Sequence, residues 1–355
     1  MDAAADSFSV AELRLAARNH GMPLEALRYP VTPTGLHYLL THFDIPALDA
    51  STWRLEVSGL VERELSLTLE ELAARPSVEE VVTMECAGNG RADLDPRPVS
   101  QPWLNEAVGT ARWRGTPLAA VLDEAGADPG AAEIVFVGAD RGVEDGVVQE
   151  FARSLTVEEA SQPGVILAYE LNGGPLPPQH GFPVRLLVPG WYGMASVKWL
   201  TRIEAVAEPF AGHQQAWSYR LRQRPDEPGI PLTRMQPRAL MVPPGIAEFP
   251  SRHRIVERGG IRLEGRAWSG HGPIAVVEVS TDGGESWAPA EVEGRSLGDF
   301  AWQGWRFDWN PTAAGEFTLA CRATDAAGNV QPDAPSWNLG GYANNAVQRV
   351  AVTVV

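Results

Sequence analysis

The densest run of chemically useful residues is Val81–Arg91, VVTMECAGNGR. Val81, Val82, Thr83 and Met84 favour a strand. Gly88-Asn89-Gly90 favours a tight turn, because glycine and asparagine tolerate positive φ. Cys86 stands at the junction and offers its Sγ to whatever lies above the turn. The turn N–H groups and Arg91 favour the thiolate, which is the form that binds a soft metal. The alternative is a lone cysteine packed as a small buried hydrophobe. A second dense stretch holds HGFPVR (His180 to Arg185), LLVPG at 186–190 and Ser196-Val197-Lys198-Trp199. A histidine and an arginine bracketing a proline-stiffened strand, with a serine and a lysine soon after, can grip a phosphorylated anionic cofactor. Arginine binds phosphate bidentately and lysine as a point charge. The alternative is a set of ordinary surface cations beside a strand.

Short elements must position these residues. Residues 7–30 carry a helical pattern (Val10, Leu13, Leu15, Ala16) and then a proline-punctuated segment. WRLEVSGLV at 53–61 alternates like a half-buried strand. Leu67–Ala74 reads as a short helix with Thr68 as N-cap, Glu70 and Glu71 in its first turn and Pro76 beyond its end. Thr116–Ala125 reads as a second helix with Pro117 at its first position. Glu133–Gly138 is a buried strand ending near Asp140, and Val165–Tyr169 and Val184–Val188 are two more. The loop Asn172–Pro183 between them carries His180. No GxGxxG follows a strand and no GxxxxGK[ST] is present, so neither nucleotide fingerprint is available.

From Arg222 to Pro250 seven prolines exclude a long helix or a central strand, which marks a linker or strap between domains. Beyond Gly260 the chain is strand and turn throughout. Asp282-Gly283-Gly284 and Ala327-Gly328-Asn329 sit at hairpin positions. The rhythm predicts an immunoglobulin-like β-sandwich. Cys321 alternates with Phe317, Leu319 and Ala323 and faces its core. Trp268, Trp287 and Trp302 are assigned to packing. The fold class is therefore α+β, mostly β, with domains at 1–235 and 236–355.

The 355 residues exceed one ordinary core. Two cysteines cannot build a disulfide framework. A net charge of −16 argues against nucleic acid and suits a basic protein partner. No apolar run is long enough to span a bilayer. The start shows no export signal, so the expected location is the cytoplasm.

HGFPVR, VPG and SVKW together resemble the molybdopterin segment of the sulfite oxidase family. ECAGNGR resembles that family's cysteine loop. The likeness runs through WRG at 113–115, the GAD ending in Asp140, AYELNGGPLP, STDGGESW, CRATDAAGNVQP and Trp337-Asn338-Leu339. It implies molybdenum held on molybdopterin, with Cys86 as the protein's metal ligand. It implies that Tyr38, His42, Asp140, His180, Arg185, Ser196, Val197 and Lys198 hold the pterin and its phosphate. Tyr219 falls where the family places an active-site tyrosine, and Trp103 fits a tryptophan of the substrate pocket. Arg91, Arg185 and Lys198 remain as the pocket's cations. The resemblance further implies a small-molecule substrate, an external electron carrier such as a cytochrome, and a homodimer, with no heme.

Two positions depart from the family. Leu40 stands where an arginine is expected, in Tyr38–Pro46, and Gly340 replaces the arginine of the tail motif. The Arg18-Asn19-His20 triplet lies too far upstream of WRLEV to take the arginine's place and reads as a decoy. Sulfite, a dianion, is costly to desolvate without cations, so it is expected to bind weakly. The first reading is oxygen-atom transfer, such as sulfite to sulfate, with electrons passed to the carrier. The second is reduction of an S-oxide, an N-oxide or another oxoanion on the same cofactor. The third is a non-catalytic binding protein on this scaffold.

Overall fold

The structure, a computed structural model, describes residues 19–355. The helical pattern at Val10, Leu13, Leu15 and Ala16 lies outside them. Two short strands come first, β1 (Asn19–His20) and β2 (Leu39–Leu40), paired antiparallel. Next are β3 (Leu55–Gly59), β4 (Leu65–Leu67), helix α1 (Leu69–Ala73), β5 (Val78–Glu85), β6 (Val108–Pro117) and helix α2 (Leu118–Ala125). Then follow β7 (Glu133–Glu144), β8 (Val147–Leu155), β9 (Ile166–Leu171), β10 (Gly174–Pro175), β11 (Arg185–Leu187) and β12 (Leu200–Val206).

Two five-stranded sheets result. One has the order β10-β9-β6-β5, with β11 also paired to β9, and the other has β4-β3-β12-β7-β8. Leu55 and Val57 of β3 are buried while Glu56 is exposed, as the alternation predicts. Helix α1 is capped as predicted. Thr68 accepts from the Glu71 N–H and the Glu71 carboxylate accepts from the Thr68 N–H, which closes a capping box. Helix α2 buries Leu118, Val121, Leu122 and Ala125, the i, i+3, i+4, i+7 stripe. Pro117 is its N-cap rather than its first residue, because β6 continues through it.

The strand expected to end near Asp140 runs on to Glu144 and turns back as β8. Val143, Val147 and Val148 at the tip of this hairpin are exposed, so VVQEFARSL carries no clean burial period. The register slips between Val137 and Arg141, and that irregularity leaves Asp140 buried and off the regular ladder.

After the proline-rich strap, Arg238–Met241 forms the edge of a four-stranded sheet with Ile261–Trp268, Gln303–Trp309 and Glu291–Val292. A six-stranded sheet faces it, built on Gln348–Val354, Gly315–Asp325 and Ile274–Ser280. Cys321 is fully buried in the core between them, as alternation predicts. The tryptophans divide differently from expectation. Trp268 and Trp302 are buried in the apolar cluster that belongs to the first part of the chain. Trp287 is half-buried, and Arg322 lies 4.3 Å over its ring. Among the described residues no helix is long and apolar enough to cross a membrane.

Among the described residues, one ionic contact with both side chains buried ties the halves together. Arg238 Nη1 lies 2.7 Å from Glu85 Oε1, and both side chains are 2% exposed. Trp268 Nε1 donates to Glu85 Oε2 at 2.9 Å and Asn89 Nδ2 donates to Glu85 Oε1 at 3.0 Å. Arg238→Met leaves a buried carboxylate without its cation. It should lower unfolding stability by about 3–5 kcal/mol, read as an earlier urea midpoint. Adding Glu85→Gln should recover part of that loss, because the uncompensated charge is then gone.

Candidate active site

The cysteine loop is fixed from both sides. The Cys86 N–H donates to Ala107 O at 2.9 Å, and the Asn89 N–H donates to Cys86 O at 2.9 Å. Asn89 Oδ1 accepts from the Ala107 N–H at 3.0 Å. From the tail, the Ala343 N–H donates to Ala87 O and Asn344 Nδ2 donates to Gly90 O. Only Gly90 of the turn takes positive φ, +90°. Gly88 is needed for a different reason: a Cβ there would fall 2.4 Å from Arg91 Nη2. Asn89 acts through its side chain.

Cys86 opens onto a cavity. The structure brings Tyr38, His42, Asp140, His180, Arg185, Ser196, Lys198 and Tyr219 to its walls. Gly193 admits Tyr38, since a Cβ there would fall 2.3 Å from the phenol oxygen. Arg185 is 3% exposed. It donates to His180 O at 3.0 Å and Ser196 O at 2.8 Å, and lies 4.9 Å over the Trp113 ring. Lys198 Nζ donates to Leu40 O at 2.8 Å and to Gln179 O at 3.1 Å. Ser196 Oγ accepts from the Val188 N–H at 3.1 Å. Val197 turns its side chain into the apolar core. Tyr219 has φ +54°, uncommon outside glycine, and its hydroxyl hydrogen-bonds His42 Nε2.

A second cavity shares Cys86, Leu40, His42 and Tyr219 with the first. Trp103 and Arg91 line it, as do Glu144 and Tyr342. Arg91 is 4% exposed and donates to Gly340 O at 3.0 Å and Gln101 O at 2.9 Å.

Burial dominates the electrostatics. It pushes the Cys86 thiol up, against the Gly88 N–H and Arg91, which pull it down. The turn N–H and Arg91 act toward the thiolate as expected, and burial outweighs them. Burial also raises Asp140, lowers Lys198, and takes Arg185 down to about 10, still a cation at neutral pH. It lowers His42 to about 3 and His37 to about 4, and holds His180 well below the usual range.

Sequence reasoning missed four residues. His37 stacks on Tyr38 with ring centroids 5.3 Å apart and lines the first cavity. Arg153, 4% exposed, lies 5.6 Å from the Tyr219 ring. Glu144 and Tyr342 reach the site from far along the chain. Asn19, the middle residue of the triplet read as a decoy, also lies at the site. Asn19 pairs with Leu40, accepts from the Thr41 N–H at 2.9 Å and lines the second cavity. Arg18 lies outside the described residues. The β1–β2 pairing cancels the sequence separation that had excluded this segment.

Two family models match the chain. The oxidoreductase molybdopterin binding domain covers residues 42–214 and the Mo-co oxidoreductase dimerisation domain covers 241–355. The sulfite oxidase of Gallus gallus is 36% identical over 341 residues, spanning 90% of this chain and 72% of the chicken protein. The chain belongs to the sulfite oxidase family. The mitochondrial sulfite oxidase of Rattus norvegicus is 37% identical over 347 residues; the match spans 92% of this chain and 62% of the rat protein. This family member also resembles an NADH nitrate reductase of Arabidopsis thaliana, 32% identical over 381 residues, 96% of this chain and 41% of the relative. Among solved structures, the sulfane dehydrogenase SoxCD of Paracoccus pantotrophus superposes with a TM-score of 0.80 at 26% identity, covering 98% of this chain and 91% of that one.

The buried histidines predict a pH dependence. Folded His37, His42 and His180 stay neutral below pH 6.5, whereas the unfolded chain protonates them. The unfolded state then binds more protons, so stability falls as pH drops. Each histidine contributes about 1.4 kcal/mol per pH unit well below its unfolded pKa. Asp140, pushed up to about 7 by burial, opposes one of the three over this range. Urea unfolding of the cofactor-free protein should still show a net loss between pH 6.5 and 5, and His37→Phe should flatten it by about half.

Proposed function

We propose that this chain is a molybdopterin-dependent oxidoreductase that moves an oxygen atom to or from a small molecule. The observation that carries this reading is a pair of buried cations beside Cys86. Among the described residues, Arg185 makes no ion pair with a carboxylate, and Lys198 has the through-space attraction of Asp140 on the same wall but no direct ion pair. Buried charges are ordinarily paired, so a cavity walled by two such cations suits an anionic ligand. Tyr38 seated over Gly193 and the thiol of Cys86 at the wall complete a fit for a phosphorylated pterin carrying a soft metal.

Cys86 would be the metal ligand. Arg185, Lys198, His180 and Ser196 would hold the phosphorylated end, with Tyr38, His42, Asp140 and the Val197 backbone along the ring. When bound, the molybdenum pterin supplies the redox chemistry and the site of oxygen transfer. The chain's residues do the rest. Arg91, Trp103 and Tyr219 shape the second cavity, where a substrate reaches Cys86's surroundings. Tyr219 presents its hydroxyl from a strained backbone and shares a hydrogen bond with neutral His42. The relatives' names include a sulfite oxidase and a nitrate reductase, chemistries that run an oxygen atom in opposite directions. The two electrons pass to or from an external carrier. Residues 1–235 form the catalytic domain, and 236–355 pair two copies.

Cys86→Ser tests the reading, because a hydroxyl is a poor ligand for a soft metal. Metal and pterin analysis of the wild type should find molybdenum. The variant should lose turnover and its metal spectrum while keeping its circular dichroism. Wild-type turnover and an unchanged metal spectrum in the variant would overturn the proposal.

A further inference from the structure

The second cavity narrows the substrate, given the oxygen-transfer reading above. Its volume is about 220 Å³, and among the described residues its formally charged lining residues are Arg91 and Glu144, one of each sign. His42 adds no charge at neutral pH, because burial takes it to about 3. Arg91 is also partly spent. Its Nε and Nη1 are committed to Gly340 O and Gln101 O, and its guanidinium lies 5.4 Å over the Tyr342 ring. Glu144 is held facing the cavity by Gln214 Nε2 at 3.0 Å and Ser218 Oγ at 3.3 Å, and His213 Nε2 lies 3.4 Å from its Oε1.

The wall opposite is aromatic and rigid. Tyr219 and Tyr342 pack with ring centroids 5.2 Å apart. The Arg153 guanidinium lies 5.6 Å over the Tyr219 ring and that of Arg91 5.4 Å over the Tyr342 ring. Tyr342 fills the space beside Gly340, where a Cβ would fall 2.2 Å from its ring. A longer side chain at 340 cannot enter without moving it. Leu40 and Trp103 add apolar surface.

We infer that this cavity takes an uncharged organic molecule with an apolar body and one strongly polar S–O or N–O oxygen, or its deoxygenated partner. A small dianion entering here loses its hydration, meets one guanidinium with two N–H groups already engaged, and faces a carboxylate. A neutral oxide meets no such cost. Its body packs on the aromatic wall, and its oxygen accepts from phenol hydroxyls. The reaction balances as oxide plus two protons and two electrons giving the deoxygenated compound and water. The electrons come from a one-electron donor outside the chain, and the reverse direction needs a one-electron acceptor.

The test uses the purified holoprotein, with molybdenum and pterin measured first. Absence of the cofactor would sink the oxygen-transfer reading itself, before any substrate is tried. On cofactor-loaded protein, methyl phenyl sulfoxide and trimethylamine N-oxide are assayed with reduced viologen, and sulfite with ferricyanide. The expected result is a kcat/KM for at least one oxide that exceeds that for sulfite by tenfold or more; the two arms separate S-oxide from N-oxide. Quenching of tryptophan fluorescence gives binding without turnover. Sulfite affinity should rise severalfold in Glu144→Gln, while Tyr342→Val should weaken oxide binding more than sulfite binding. A loaded wild type with a low-micromolar KM for sulfite and no measurable turnover of either oxide would overturn the inference. So would a Glu144→Gln variant whose sulfite affinity is unchanged.

Discussion

The arrangement depends on one buried ion pair, Glu85 with Arg238. Glu85 ends β5 and immediately precedes Cys86. Arg238 opens the first strand of the sandwich. Arg238 also donates to Asn344 O at 3.0 Å and to Asn105 Oδ1 at 2.5 Å, so one guanidinium gathers the cysteine strand, the following loop and the C-terminal tail. Such a pair adds little net stability, because two charges must leave water. It does select geometry, since any packing that separates the partners strands a charge in the core. The tail it holds then places Asn344 and Ala343 on the cysteine loop and Tyr342 on Arg91. The second half of the chain is thus part of the site's scaffold as well as a separate sandwich.

The two cavities differ in charge. The first is cationic and encloses groups whose charged forms are disfavoured by burial: Lys198 is pulled down and Asp140 pushed up. An anion there relieves the desolvated cations. The second, on the far side of Cys86 and Tyr219, is close to neutral. A tightly held anionic cofactor and a weakly charged substrate can therefore meet at one cysteine without competing for the same cations. Rigidity supports this division. Tyr219 is fixed by its backbone, by His42 and by stacking on Tyr342, so its hydroxyl position does not depend on the substrate.

Much of this was legible in the sequence where local chemistry and global fold agree. The cysteine loop, the HGFPVR and SVKW segments, the alternation of β3, the capping residue of α1 and the sandwich rhythm each carry their own signal. The missed features are long-range. Asn19 reaches the site through a two-residue pairing with Leu40. Arg238 sits among prolines that read as a strap, although its strand is an edge strand and tolerates them. β8 was invisible because its exposed valines break the burial period. Glu144 and Tyr342 lie on a hairpin and a tail whose approach to Cys86 no local pattern encodes. At Cys86 the turn donors and Arg91 were legible and act as expected, but the depth of burial opposing them was not legible.

The central claim is that Cys86, held between β5 and the tail, donates its sulfur to molybdenum. Molybdenum-edge X-ray absorption of the purified protein and of Cys86→Ser tests it most directly. The account predicts one sulfur fewer around the metal in the variant, or no bound metal at all. Identical sulfur coordination in the two proteins would contradict it.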